Sequence, residues 1–411
     1  MTLHDHWGHR KILDSLARAR SQESLPGSLL VHGPRGVGKQ HLALWLGQLL
    51  LCPRADLTGP CGDCSHCRLA RKLEHPDLHW YFPLPRPKNV SSPEKLARDL
   101  EEAREEAIRE IRKDPLRMPR SEEPRALYLA AARTLRRSAQ RRPAMAEHQV
   151  FIIADAQALA PRESSSEAAN ALLKLLEEPP GSTTLILTSA EPGRLLPTIR
   201  SRTAHLHLPP LPVPEVTGFL AQVAGIPAHE ARRAGALSRG SIGRALGFLP
   251  DQEGSAPLER TRREALDLLR AALAPSLERS YRSALAFRPA GARGLMELFD
   301  FLEEWLRDLA AAQAAARAAS GPPGPGGNGE CDGEGESTES PTGEDARILR
   351  ELLDRWSVHP PAVASAVEDV ERARSLAWGN VNPQLIVFGL LGDIREALTA
   401  SRREAPQGRE T

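Results

Sequence analysis

The stretch HGPRGVGKQ, His32 to Gln40, decides the fold. It follows the pattern G-x-x-x-x-G-K-[ST] at Gly33, Gly38 and Lys39, and then departs from it, with Gln40 standing where a hydroxyl belongs. In such a loop the glycines, here Gly33, Gly36 and Gly38, let the backbone curl so that its N–H groups and a helix N-terminus surround a β-phosphate. Lys39 would reach the terminal phosphates, and Gln40 removes a direct Mg²⁺ ligand. SLLVH (28–32) before the loop reads as a strand, and QHLALWLGQLL (40–50) after it reads as an amphipathic helix. The lysine is informative by itself. Only seven of the 54 basic residues are Lys, and the rigid fork of Arg does not reproduce a compact ammonium.

Working outward, two more buried strands are QVFIIAD (149–155) and TTLILTS (183–189). Between them, Ser164 and Glu167 form a capping-box pattern, Ala168, Leu172, Leu175 and Leu176 share a helical face, and Pro179-Pro180-Gly181 stops the helix. Strands alternating with helices predict a parallel α/β sheet, a P-loop domain over 1–208. Asp155 ends the second strand, where a carboxylate assists Mg²⁺. Its neighbour Ala156 carries a methyl group, which neither accepts a proton nor orients water.

At 411 residues two or three domains are expected. The proline-rich LPPLPVPE (208–215) marks a boundary, after which strand signals vanish. A small helical lid is predicted for 209–252 and an all-α domain for 253–411. Inside the latter, 321–344 has no aliphatic, aromatic or basic side chain and is expected to be a disordered insert. A second insert, about 85–124, holds a charged helix with i,i+4 pairs Glu94–Arg98 and Glu105–Arg109, and reads as a solvated projection. The run RTLRRSAQRR (133–142) could touch phosphates, or could be an exposed helix end in an Arg-rich chain.

Net charge is +1, so no global polyanion affinity follows. No stretch approaches the roughly 18 apolar residues of a membrane span, and the opening residues lack the apolar core of a secretory signal. A cytoplasmic placement, with reduced cysteines and no membrane partner, is expected. Four of the five cysteines, Cys52, Cys61, Cys64 and Cys67, have the spacing C-x₈-C-x₂-C-x₂-C. That spacing suits one tetrahedral structural Zn²⁺, with His66 and His75 as weaker alternative ligands.

Together HGPRGVGK, the cysteine module followed by HPDLHW (75–80), FIIADAQAL, NALLKLLEEPP, LILTS, PTIRSR (197–202), GSIGRALG (240–247) and NVNPQL (380–385) resemble the clamp-loader branch of AAA+ proteins of bacterial DNA polymerase III. The resemblance implies an AAA+ domain, a helical lid, and a helical collar that holds a ring-like assembly loading the sliding clamp onto primed DNA. It implies gamma/tau and delta subunits as partners, with the clamp and primer-template DNA met through the assembled complex.

It also implies roles for residues. Arg202 matches the arginine that serves the neighbouring subunit's ATP, with Thr203 where cysteine is usual. Thr188 matches a polar sensor and Arg244 the lid arginine. Hydrolysing members carry Thr and Glu where Gln40 and Ala156 stand, so ATP/Mg²⁺ binding is expected to be weak or absent, and hydrolysis absent. The alternatives are a gamma/tau-like or autonomous AAA+ ATPase, and a zinc-dependent nucleic-acid-binding protein, for which CGDCSHCRLARK gives only a modest basic face.

Overall fold

A computed structural model describes residues 6–88, 90–116, 125–159, 166–251, 254–274, 276–288, 291–320, 343–355, 360–377 and 381–400. Contacts divide the chain into two compact units, one ending at Leu246 and the other beginning at Gly247.

In the first unit the strands are β1 (Ser28–His32), β2 (Leu78–Tyr81), β3 (Leu84–Pro85), β4 (Arg125–Ala126), β5 (Gln149–Ile153), β6 (Thr183–Ser189) and β7 (Ala204–His207). Five of them form one sheet in the order β2-β5-β6-β1-β7, all parallel. β3 and β4 pair antiparallel beside it. Helices α1 (Arg10–Ser21), α2 (Lys39–Leu51), α3 (Ser65–Arg71), α4 (Pro93–Lys113), α5 (Leu129–Ala139), α6 (Glu167–Glu177) and α7 (Pro197–Arg200) accompany the sheet. α8 (Val213–Gln222), α9 (Ala228–Leu237) and α10 (Ile242–Gly247) follow.

Strand alternation builds a core on each face. Leu29, Val31, Val150, Ile152 and Ile186 join Leu42, Leu46 and Leu49 of α2 in one cluster. Leu30, Phe151, Ile153, Leu185 and Leu187 join Leu135 of α5 and Leu172 of α6 in the other. Both faces are covered, so β5 and β6 are buried at every position, which is why they read as unbroken apolar runs.

Several expectations need correcting. α2 is not amphipathic: Leu42, Ala43, Leu44, Leu46, Gly47, Gln48, Leu49 and Leu51 are all buried, because the sheet takes one side and neighbouring helices the rest. The helix of the 85–124 insert forms as α4 but does not project into solvent. Leu100 and Ile111 are buried, with Leu96, Ala103 and Ile108 against the same core, and Arg104 lies over the Tyr81 ring at 5.1 Å. Arg104–Glu101, Arg109–Glu106 and Lys113–Glu110 pair at i,i+3 and Arg112 pairs with Glu74 before β2, whereas Glu94–Arg98 and Glu105–Arg109 are not among the described ion pairs. Ser164 of the capping box lies outside the described residues, and α6 begins behind Ser166, whose side chain makes no cap bond.

The second unit is all helical among the described residues: α11 (Pro257–Ala272), α12 (Leu277–Ala286), α13 (Gly291–Ser320), α14 (Gly343–Arg355), α15 (Pro360–Ala377) and α16 (Pro383–Ala400). Phe299, Phe301 and Trp305 of α13 fill its centre. Arg262 pairs with Asp345 at 2.8 Å, both buried, and its guanidinium lies 4.2 Å from the centroid of the Trp305 ring. Of the 321–344 tract, residues 321–342 lie outside the described residues, while Gly343 and Glu344 open α14.

Candidate functional site

The loop after β1 is a tight structure held from several sides. Gly36 has φ +74°, and a Cβ there would meet the Ser241 hydroxyl at 2.8 Å and the Arg244 nitrogen at 3.0 Å. At Gly33 a side chain would strike the Leu208 carbonyl at 2.2 Å. Both glycines are thus required by the close approach of the 208–244 segment. That segment is tied to the loop: Gly243 N–H donates to the Gly36 carbonyl at 2.9 Å and the Ser241 hydroxyl donates to the Arg35 carbonyl; from the turn after β6, Glu191 pairs with the Arg35 side chain. Arg244, the expected lid arginine, therefore has its backbone beside Gly36.

Gly38 is the N-cap of α2 and Lys39 its first residue. The Lys39 ammonium donates to the carbonyls of Gly33 at 2.9 Å and Pro34 at 2.6 Å. Burial pushes its pKa down to about 8, with Asp155 opposing the shift and Arg35 adding to it. A Cβ on Gly38 would lie 3.4 Å from His6 Cε1. Burial, then the neighbouring His41 and His9, push His6 down to about 3, so a neutral imidazole stands at the start of α2. Sequence reasoning missed His6, because a histidine so far from the motif carries no spacing signal.

Gln40 and Asp155 are brought together. The amide Nε2 donates to Asp155 Oδ2 at 3.2 Å, so the Asp155 carboxylate, which would assist Mg²⁺, is held by an uncharged donor. Asp155 itself has φ +48°, and its N–H donates to the Thr188 hydroxyl at 3.1 Å. Thr188 is fully buried on β6. Ala156 is buried in the apolar core beneath α6.

Arg202 lies elsewhere. Ala204 pairs with Leu29, so Arg202 stands beyond the start of β1 while the loop follows its end. The five residues of β1 separate them by roughly 17 Å at about 3.3 Å per residue. Arg202 Nε donates to Glu177 Oε2 at 3.2 Å and Nη1 to the Thr198 carbonyl at 3.3 Å. Thr203 is buried, its hydroxyl donating to the Ile199 carbonyl, a bond that fixes the backbone next to Arg202.

The four cysteines come together. Their sulfurs all lie within 4.8 Å of one another, with separations of 3.5 Å (Cys52–Cys61), 3.9 Å (Cys52–Cys64) and 3.9 Å (Cys61–Cys67). A tetrahedron with Zn–S bonds of about 2.3 Å has edges of about 3.8 Å, so the set fits a metal. Cys61 N–H donates to Cys52 Sγ and Cys67 N–H to Cys64 Sγ. Burial raises the Cys64 thiol, but bonds from Cys67 and the other cysteines outweigh it and bring it to about 7. Burial drives Cys67 up to about 12. Arg20 holds the module from α1 through the Cys52 and Ala55 carbonyls. His66 and His75 are not in the cluster: His66 Nδ1 and His75 Nε2 lie 2.9 Å apart, and Asp77 N–H donates to His75 Nδ1.

The glycine loop, the strand that leads to Asp155 and the Thr188 strand, on one parallel sheet, make a P-loop α/β domain. The family described as DNA polymerase III, delta subunit, matches residues 8–212. The chain is 36% identical over 173 residues to the DNA polymerase III subunit delta' of Pseudomonas aeruginosa, covering 42% of this chain and 40% of that protein. It is 31% identical over 219 residues to the Escherichia coli subunit delta', 53% of each, and 28% identical over 244 residues to the Salmonella typhimurium subunit tau, 59% of this chain and 31% of that protein. Each match spans less than two thirds of the relative's length. Residues 8–212, just under half of the chain, are thus similar to the delta-prime-like clamp-loader subunits of DNA polymerase III.

Proposed function

We propose that this chain is a non-hydrolysing clamp-loader subunit that helps place the sliding clamp on primed DNA and lends Arg202 to the ATP site of its neighbour. The observation that carries the reading is the Gln40–Asp155 hydrogen bond. It ties the amide that replaces the loop hydroxyl to the carboxylate that would assist Mg²⁺, and Ala156 beside it offers no base. Lys39, bonded to the loop's own carbonyls, completes a loop that binds ATP/Mg²⁺ weakly or not at all.

The placement of Arg202 supports action in trans. At roughly 17 Å from the chain's own loop (five strand residues at about 3.3 Å each) it serves no phosphate there, whereas a neighbour packed against the start of β1 would meet it directly. A guanidinium in that position stabilises charge on the transferred phosphoryl group.

The remaining assignments belong to the same proposal. Residues 1–208 are the AAA+ domain, 209–252 the lid and 253–411 the collar. Cys52, Cys61, Cys64 and Cys67 hold a structural zinc that closes the module without an open coordination position. The partners are gamma/tau and delta subunits in the cytoplasm, with clamp and DNA engaged through the complex. No helix among the described residues is long and apolar enough to cross a membrane.

The test is steady-state ATP turnover by the purified chain, alongside co-purification with gamma/tau and delta. No turnover together with assembly supports the reading. Turnover abolished by Lys39→Ala would favour an autonomous ATPase instead.

A further inference from the structure

The Arg202–Glu177 pair has a feature that fold stability does not explain. Glu177 is the last residue of α6, where a carboxylate meets the negative end of the helix dipole and weakens the helix. Lys174 puts one cation in the last turn of α6, while the next residues, Glu178, Pro179 and Pro180, add none. The cation that pairs with the Glu177 carboxylate comes from the loop before β7, as Arg202 Nε at 3.2 Å.

Both partners are mounted on rigid supports. The end of α6 is fixed to the start of β1, since the Ser28 hydroxyl donates to the Leu176 carbonyl at 2.9 Å and Pro179 fills the space where a Gly27 side chain would be, 2.6 Å from its Cβ position. The Arg202 backbone is fixed by the buried Thr203, whose hydroxyl donates to the Ile199 carbonyl at 3.1 Å. Between these supports lies an open cleft of about 380 Å³ lined by Gly27, Ser28, Glu177, Pro179, Arg202 and Ala204.

The contact itself is weak by construction. It is a single N–H···O bond rather than a bidentate fork, and the side chains are 31% and 56% exposed. A pair of this kind contributes little to stability. It does orient a long, flexible side chain, and a polyphosphate with several charges displaces a lone, solvated carboxylate from a guanidinium.

We propose that Glu177 is a positioning residue for Arg202. Its carboxylate parks the guanidinium in the cleft while the subunit is unengaged, and yields it to the γ-phosphate of the neighbour's nucleotide. This rests on the reading of Arg202 as a donor in trans and adds to it a reason why the arginine does not act before the interface closes. The parked state competes with the engaged one, so it lowers the neighbour's turnover most when the complex lacks clamp and DNA. Added salt weakens the parking, because the pair is exposed.

The experiment uses the full chain reconstituted with its gamma/tau and delta subunits, as wild type, E177Q, R202A and the double variant. Glutamine keeps the size of the side chain and removes its charge. The expected result is that E177Q raises turnover without clamp and DNA by up to about fivefold, the range available to an exposed pair. The gain should shrink as salt rises and disappear in the R202A background. A wild-type or lowered rate for E177Q, with R202A impaired, overturns the parking role alone. A gain that persists in the double variant overturns it too, since the effect would not pass through Arg202. Wild-type turnover with R202A overturns the donor reading itself and the positioning role with it.

Discussion

Replacing Gln40 by threonine restores the hydroxyl that the loop pattern calls for, and the structure sets the size of the effect. The change deletes a hydrogen bond to a carboxylate of 3.2 Å, at the long end for N–H···O, so about 1.5 kcal/mol is lost from the usual range for charged partners. It also removes Gln40 Oε1, a buried acceptor with no partner, which returns part of that amount. The balance is about 1 kcal/mol of destabilisation for Gln40→Thr in metal-free buffer. With Mg²⁺ and ATP the sign should reverse: a ligand at a hundred times its Kd adds about 2.7 kcal/mol. Urea unfolding with and without Mg²⁺–ATP reads both numbers. A wild-type chain that gains as much from Mg²⁺–ATP as Gln40→Thr would show that Gln40 does not obstruct the metal, and the reasoning would fail.

Cys64→Ser should lose bound zinc, measured by elemental analysis, and lower thermal stability without removing a chemical step, because a four-sulfur site has no open position; full zinc content in the variant would contradict the ligand set. Burial, then Arg104, holds His79 down at about 4, below its unfolded value of about 6.5. The folded state therefore binds fewer protons between those values, and stability is lost as pH falls from about 6.5 to 4, by about 1–3 kcal/mol. His79→Phe, which keeps a ring against Phe151, should flatten that acid limb in denaturation measured across the range. Asp345→Ala leaves Arg262 buried without its carboxylate and should cost about 3–5 kcal/mol in denaturant unfolding; a loss below about 1 kcal/mol would mean that the Trp305 ring alone holds the guanidinium.

What was legible in the sequence follows from how each feature is encoded. β1, β5 and β6 are buried on both faces, so they stand out as unbroken apolar runs beside the glycine loop. β2 and β7 escaped, since LHWY is half-buried at its start and AHLH lies largely exposed at the sheet edge, and neither alternates cleanly. The α4 insert misled because its charged residues outnumber a stripe that nonetheless places Leu100 and Ile111 in the core. In the site, spacing was enough to bring the four cysteines together, but not to show that His66 and His75 bond to each other. The Gln40–Asp155 bond joins residues 115 apart in sequence, and the Glu177 partner of Arg202 is a tertiary contact that no local pattern announces.

The central claim is that this chain contributes an arginine to another subunit's chemistry rather than chemistry of its own. Arg202→Ala in the reconstituted loader tests it most directly, read as clamp- and DNA-stimulated ATP turnover with assembly verified in the same sample. The account predicts a folded, fully assembled complex with reduced turnover. The loss at the dependent site should approach the 10³–10⁵ that arginine fingers supply, roughly, and be smaller for the loader as a whole. An assembled complex that turns over ATP at the wild-type rate would contradict it.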